Sequence, residues 1–202
     1  GETTYHGVPV AIVAADAQDA AEAGAAAVRV TWQELPAVTS VAAALAPGAP
    51  LVQDPALRPG DPLADTNVLR EHVTAWGDVD GAAGDAEAVV DHRCTFPMAT
   101  HFAIEPHRFL AAPDGAGIVV WSSIQHPYWL QRVLAGILGL PLARVRVIAP
   151  DPGGAFGGKQ HAKYEPLVAL LALRAGRPVR LVLSLEETFQ AVRRTAAEFR
   201  VR

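Results

Sequence analysis

Five prolines between residues 47 and 62 do most to limit what this 202-residue chain can fold into. Pro47, Pro50, Pro55, Pro59 and Pro62 stand in the run APGAPLVQDPALRPGDPL. Each lacks a backbone N–H and has a fixed φ, so neither a long helix nor a central strand can pass through them. The stretch from Val41 to about Gly77 is therefore expected to be an ordered surface connector with short strands at most. It separates two regions whose patterns alternate between strand and helix.

Ahead of the connector, Val8 to Ala14 (VPVAIVA) is rich in β-branched residues and reads as a buried strand. Asp16 then heads an alanine-rich helix as its expected N-cap, and Val28 to Trp32 reads as a second strand. Together they predict a β-α-β unit, right-handed if its strands run parallel. After the connector, GDVDGAAGDA predicts a short helix capped by Asp78, followed by strands over Ala88 to Phe96 and Ile118 to Ser122. His126 to Leu138 predicts a helix with Pro127 in its first turn and Gly139 as its stop. A strand over Val145 to Ala149, a helix within Ala162 to Ala175 ended by Gly176, and a strand over Val179 to Leu183 complete the pattern, with Glu186 opening a last segment. The class is α+β, and no solenoid-length repeat occurs.

Half of the residues are apolar, enough to build a core. A net charge of −4 gives no basic surface for nucleic acid or an acidic membrane. A single cysteine, Cys94, excludes an internal disulfide and any iron–sulfur or zinc site made from this chain's cysteines alone; its expected role is that of a small buried hydrophobe. The apolar runs fall short of the roughly 20 residues that span a bilayer, and no secretory leader opens the sequence. The four tryptophans, Trp32, Trp76, Trp121 and Trp129, are expected to anchor the core or an interface.

The segment Asp151-Pro-Gly-Gly-Ala-Phe-Gly-Gly-Lys159 is the most informative about chemistry. Its glycines free the backbone to take positive φ and to bring N–H groups close to a ligand. With a strand leading in and a helix leading out, such a loop favours an anionic group. It is open to three readings. It is a structural turn, a nucleotide phosphate loop, or the cradle of another anionic centre. Gly153 to Lys159 satisfies G-x-x-x-x-G-K, but Gln160 stands where a magnesium-binding Ser or Thr should follow.

The third reading rests on resemblance. Gly153-Gly-Ala-Phe-Gly-Gly-Lys159 is similar to the GGGFGGK loop of molybdenum hydroxylases, the family of xanthine dehydrogenases and aldehyde oxidases, with Ala155 in place of one glycine. Ser122-Ser-Ile-Gln125 resembles the family's S-T-Q element, and Gln125 precedes Phe156 at the separation the family keeps. His101-Phe-Ala-Ile-Glu105-Pro106 is similar to its H-x-x-x-E-P element, and Arg177-Pro-Val-Arg180 matches its RPVR strand, although Leu185 stands where an arginine is expected. The first 45 residues resemble the second half of an α/β hammerhead domain.

The resemblance implies three segments: residues 1–45 as a partial hammerhead domain, 46–76 as the connector, and 77–202 as the first part of a molybdopterin-binding domain. It implies that the backbone of Gly154, Ala155, Phe156 and Gly157 lies against the molybdenum centre. The Gln125 amide would donate to an oxo ligand, and Phe156 and Gln160 would line the substrate side. A neutral amide can do this without adding charge. Xanthine-oxidising members carry glutamate where this chain has Gln160, so an aldehyde or another N-heterocycle is the expected substrate. The family's general-base glutamate lies on a later segment absent from this sequence. No catalytic residue and no direct metal ligand is therefore assigned, and His101 and Glu105 are expected to be structural. The implied cofactor is molybdopterin cytosine dinucleotide with molybdenum, and the implied partners are iron–sulfur and flavin subunits in a cytoplasmic oligomer. Two alternatives stand beside this reading: a truncated remnant that binds no metal, and a P-loop nucleotide-binding protein.

Overall fold

The computed structural model describes residues 2–202. The chain forms two compact units that interleave along the sequence: residues 2–30 with Met98–Thr195, and Thr31–Pro97 with Ala196–Arg202.

The first unit is built on a four-stranded mixed sheet in the order β4-β3-β2-β5. Strands β2 (Arg108–Asp114) and β3 (Gly117–Ser122) form an antiparallel hairpin, with Gly115 in the left-handed region at φ 56°. Helix α4 (Pro127–Leu138) then carries the chain to β4 (Val145–Ile148), which pairs parallel to β3. Helix α5 (Glu165–Ala175) leads to β5 (Val179–Val182), antiparallel to β2. Alternate strand residues point to one face. Phe109, Ala111, Ile118 and Val120 on that face meet Leu130 and Leu134 of α4 and Val168, Ala169 and Ala172 of α5 in the hydrophobic core. Each fully buried Leu, Val or Ile there contributes about 1.5–3 kcal/mol of transfer free energy. Both core helices end as expected on left-handed glycines, Gly139 at φ 65° and Gly176 at φ 62°.

Strand β2 has no counterpart in the sequence reading. Its RFLAAPD run contains two alanines and a proline, which carry little strand signal. A seven-residue helix, α6 (Leu185–Ala191), opens the last segment with a full capping box between Ser184 and Glu187.

The expected β-α-β unit near the start is not formed. Helix α1 (Gln18–Ala26) is present, but the segments 8–14 and 28–32 pair with no strand among the described residues. A strand exists only through hydrogen bonds to a neighbour, and without one these β-branched residues stay extended, with Val10, Val28 and Val30 exposed. Asp16 is not the N-cap of α1; that position is Ala17, and Asp16 pairs with Arg177 at 2.6 Å. Three tryptophans are not core residues. Trp32, Trp76 and Trp129 are exposed, and only Trp121, on β3, is half-buried.

The second unit contains α2 (Val41–Leu45), a 3-10 turn at Pro55–Leu57, α3 (Val79–Asp85), and a two-stranded antiparallel ribbon of β1 (His92–Phe96) and β6 (Ala197–Val201). Asp78 caps α3 as expected. Two polar side chains order the proline-rich connector. Asn67 donates to the carbonyls of Ala44 and Pro50 and accepts from the Val52 N–H. The Arg58 guanidinium, 9% exposed, donates to Asp61 and to the carbonyls of Thr66 and Val68. Carbonyls that prolines leave without a ladder partner are thus satisfied from side chains. Cys94, on β1, is half-buried rather than fully buried. Among the described residues no helix is long and apolar enough to cross a membrane.

Candidate functional site

The glycine loop follows β4 and lies on the segment 101–105 that leads into β2. Close packing explains its composition. A Cβ on Gly153 would stand 2.9 Å from the Glu105 Cβ, and one on Gly158 would stand 3.1 Å from the His101 ring. Gly154 (φ 106°) and Gly157 (φ 90°) lie in the left-handed region that side chains disfavour. Ala155 is buried at 8% exposure and does not take positive φ, so the loop accommodates its methyl group. Phe156 does take positive φ, 49°, with its ring 72% exposed. A bulky residue held in that region costs of order 1–3 kcal/mol, which the surrounding structure must outweigh.

A buried ion pair fastens the loop at both ends. The Lys159 ammonium, 2% exposed, donates to Glu105 Oε2 at 2.7 Å, and the same oxygen accepts the Gly153 N–H at 2.8 Å. The Glu105 N–H donates back to the Gly153 carbonyl at 3.2 Å. Burial alone would raise the Glu105 pKa, but its bonds to Lys159 and Gly153 outweigh that and hold it below the usual carboxylate range.

The structure brings Gln125 to this loop. Its N–H donates to the Lys159 carbonyl at 2.8 Å, and its side chain is exposed. The Gln160 amide turns back toward Gly157, 4.0 Å from where a Cβ would sit there. Between the fastened ends, the N–H groups of Gly154, Ala155, Phe156 and Gly157 donate to no protein acceptor among the described residues. Four successive unused donors on a loop whose end is bonded to Gln125 can receive an oxygen-bearing, electron-rich group.

Three further polar side chains belong to this region, His107 and Glu165 buried and His101 half-buried, and the first two were not singled out from the sequence. His107 is 5% exposed, and neither ring nitrogen makes a hydrogen bond of good geometry; burial lowers its pKa to about 4 against the raising effect of the nearby Gly158 backbone, with the Lys159 and Lys163 charges adding to the lowering. His101 has a buried, unpartnered Nδ1. Glu165, 2% exposed, accepts from the Ser122 hydroxyl at 2.8 Å and from the Lys163 N–H at 2.6 Å. Burial raises its pKa against these bonds. A sequence gives little warning of a core carboxylate, since a glutamate at the start of a helix looks like an exposed N-terminal charge.

The helix expected to lead straight out of the loop begins only at Glu165, so its N-terminus is not part of the cradle. Lys159 is held in its ion pair and is closed to solvent, which removes the cation a phosphate loop needs. Among the described residues no group of three or more His, Cys, Asp or Glu is placed to hold a metal ion.

The mixed sheet thus carries a glycine loop that leaves a run of backbone N–H groups open, with Gln125 bonded to the loop's end at Lys159. Comparison with known proteins gives the family. Residues 62–202 match the family model of the molybdopterin cofactor-binding domain. The chain is 36% identical over 191 residues to the putative xanthine dehydrogenase molybdenum-binding subunit XdhA of Escherichia coli K12, covering 94% of this chain and 24% of that protein. It is 42% identical over 108 residues to the aldehyde oxidoreductase molybdenum-binding subunit PaoC of E. coli O157:H7, covering 53% and 15% of the two chains. Among solved structures, the aldehyde oxidoreductase of Desulfovibrio gigas matches with a TM-score of 0.79 at 28% identity, over 90% of this chain and 19% of that one. The chain belongs to the molybdopterin-binding molybdenum hydroxylase family of xanthine dehydrogenases and aldehyde oxidoreductases, and spans about a quarter of the length of the XdhA subunit.

Proposed function

We propose that this chain supplies one wall of the molybdenum site in a hydroxylase that oxidises an aldehyde or an N-heterocycle with oxygen from water. The observation that carries this is the loop: its four backbone N–H groups at 154–157 are open among the described residues, and its end at Lys159 is bonded to the backbone of the exposed Gln125. The donor set suits an oxo-bearing group, because neutral N–H donors can bind electron-rich oxygen without ligating the metal. Bound molybdopterin supplies the two-electron oxidation.

This chain's residues hold and orient. The N–H groups of Gly154, Ala155, Phe156 and Gly157 and the Gln125 amide face the cofactor, and the exposed Phe156 ring packs on the substrate. Gln160, neutral and close to Gly157, gives a substrate a hydrogen-bonding amide but no negative charge, which favours an aldehyde or a heterocycle other than xanthine. The general base lies on a part of the protein beyond this sequence, and no residue here takes that role. Residues 1–45 belong to a hammerhead domain. The cofactor is the cytosine dinucleotide form, and electrons leave to iron–sulfur and flavin partners in a cytoplasmic assembly. The putative XdhA and PaoC relatives are described as molybdenum-binding subunits, which supports a multi-subunit arrangement.

The test uses the assembly that contains this chain. Molybdenum and released cytidine nucleotide are expected in equal amounts, with 18O from labelled water in the product. Gln125→Ala is expected to lower molybdenum occupancy or shift the paramagnetic Mo(V) signal. Label arriving from O2 overturns the reading; no molybdenum in any assembly that contains the chain overturns it too and leaves the metal-free remnant.

A further inference from the structure

We propose that Glu165 is a positioning residue whose buried carboxylate fixes the register of Gln125 against the glycine loop. Two chain segments must be set against each other for the Gln125 amide and the loop's N–H groups to face one ligand. Among the described residues, the one hydrogen bond directly between them runs from the Gln125 N–H to the Lys159 carbonyl. A lone backbone bond at the mouth of a site exchanges with water easily and contributes about 0.5–1.5 kcal/mol net.

Glu165 supplies a second tie from inside. Its Oε1 accepts the hydroxyl of Ser122, the last residue of β3 and three residues before Gln125. Its Oε2 accepts the N–H of Lys163, four residues after Lys159. With the Gln125–Lys159 bond, this closes a ring: β3 end, Gln125, Lys159, Lys163, Glu165, and back to Ser122. Both carboxylate oxygens are used, each toward a different segment. Neither contact caps α5, whose N-cap is Tyr164 with no side-chain cap bond. Glu165 is 2% exposed, on the helix that also carries the core residues Val168 and Ala169. Burying a carboxylate there is costly unless both oxygens are satisfied, so the tie holds only with the hydroxyl and the amide in place.

The inference deepens the reading of Gln125 as a cofactor-facing amide and rests on that reading for its consequence. The tie itself is measurable without cofactor. Amide hydrogen exchange is read in the purified protein for wild type, Ser122→Ala, Glu165→Gln and Ser122→Thr. Ser122→Ala removes one hydroxyl and keeps the fold, so it carries the test even if Glu165→Gln does not fold. The expected result is exchange at Gln125 at least ten-fold faster in Ser122→Ala. Core amides such as Val168, which donates to the Tyr164 carbonyl, should be unchanged. Ser122→Thr, which keeps the hydroxyl, should restore the wild-type rate. Unchanged exchange at Gln125, or an equal rise at Gln125 and Val168, overturns the proposal. The two readings fail separately. If the cofactor reading is wrong, Gln125→Ala leaves molybdenum content unaltered while the exchange pattern stands.

Discussion

His107 carries a pH signature that belongs to one residue. Buried beside Phe109, with ring centroids 6.1 Å apart, it is neutral in the folded protein down to about pH 4. In the unfolded chain it takes a proton near pH 6.5. Its folded pKa is depressed, so its contribution is complete above pH 6.5 and is lost as pH falls toward 4, where only the unfolded state binds the proton. The full window is worth roughly 3 kcal/mol. Denaturant midpoints measured from pH 7 to pH 4 should fall for wild type and fall less steeply for His107→Phe; identical slopes would refute the assignment. The Lys159–Glu105 pair gives a second expectation. Lys159→Met leaves a half-buried carboxylate without its cation and should cost about 3 kcal/mol. Adding Glu105→Gln should recover part of that loss, which a double-mutant cycle reads directly. At this scale motif spacing pointed to Gln125 and Phe156, and the structure bonds the Gln125 N–H to the Lys159 carbonyl at the end of the loop that carries Phe156. It could not show that Lys159 is turned inward, because a lysine beside glycines looks the same whether it faces a phosphate or a buried glutamate. His107 and Glu165 were missed for a related reason: burial of a polar group depends on what folds over it.

Among the elements, β3 is the most constrained. Gly117 at its start packs against the Arg144 backbone, and any Cβ there would overlap the Arg144 carbonyl. Gly117→Ala must therefore push β3 and β4 apart at their first paired residues, Ile118 and Val145. A loss of roughly 2 kcal/mol or more is expected in chemical denaturation. Gly136→Ala on α4, where a Cβ meets open space, should be neutral or stabilising by a few tenths to about 1 kcal/mol. Equal effects at the two sites would contradict this packing. Element by element, helices α4 and α5 were legible because glycine and proline punctuate them at both ends. Strands β3, β4 and β5 were legible from their valines and isoleucines. Strand β2 was not, since alanine and proline carry no strand preference, and it exists because β3 and β5 flank it. The segments 8–14 and 28–32 err the opposite way: their composition favours strand, but no neighbour pairs with them.

The whole molecule exposes much apolar surface. Trp76, Val73, Leu69, Ile104 and Tyr128 are each more than two-thirds exposed. Large apolar side chains left in water favour association. Sedimentation velocity of the purified chain should show concentration-dependent association. A monodisperse monomer across a hundred-fold range of concentration would count against it.

The ribbon of β1 and β6 joins residues 92–96 to residues 197–201, sealed by an edge-to-face contact of Phe96 and Phe199 at 5.8 Å. On the ribosome, β1 emerges a hundred residues before its mate and must wait, its backbone open, while the entire intervening sheet is synthesised. Closing so long a loop makes this pairing a late event in folding. Until β6 leaves the exit tunnel, β1 is a bare edge available to any passing strand.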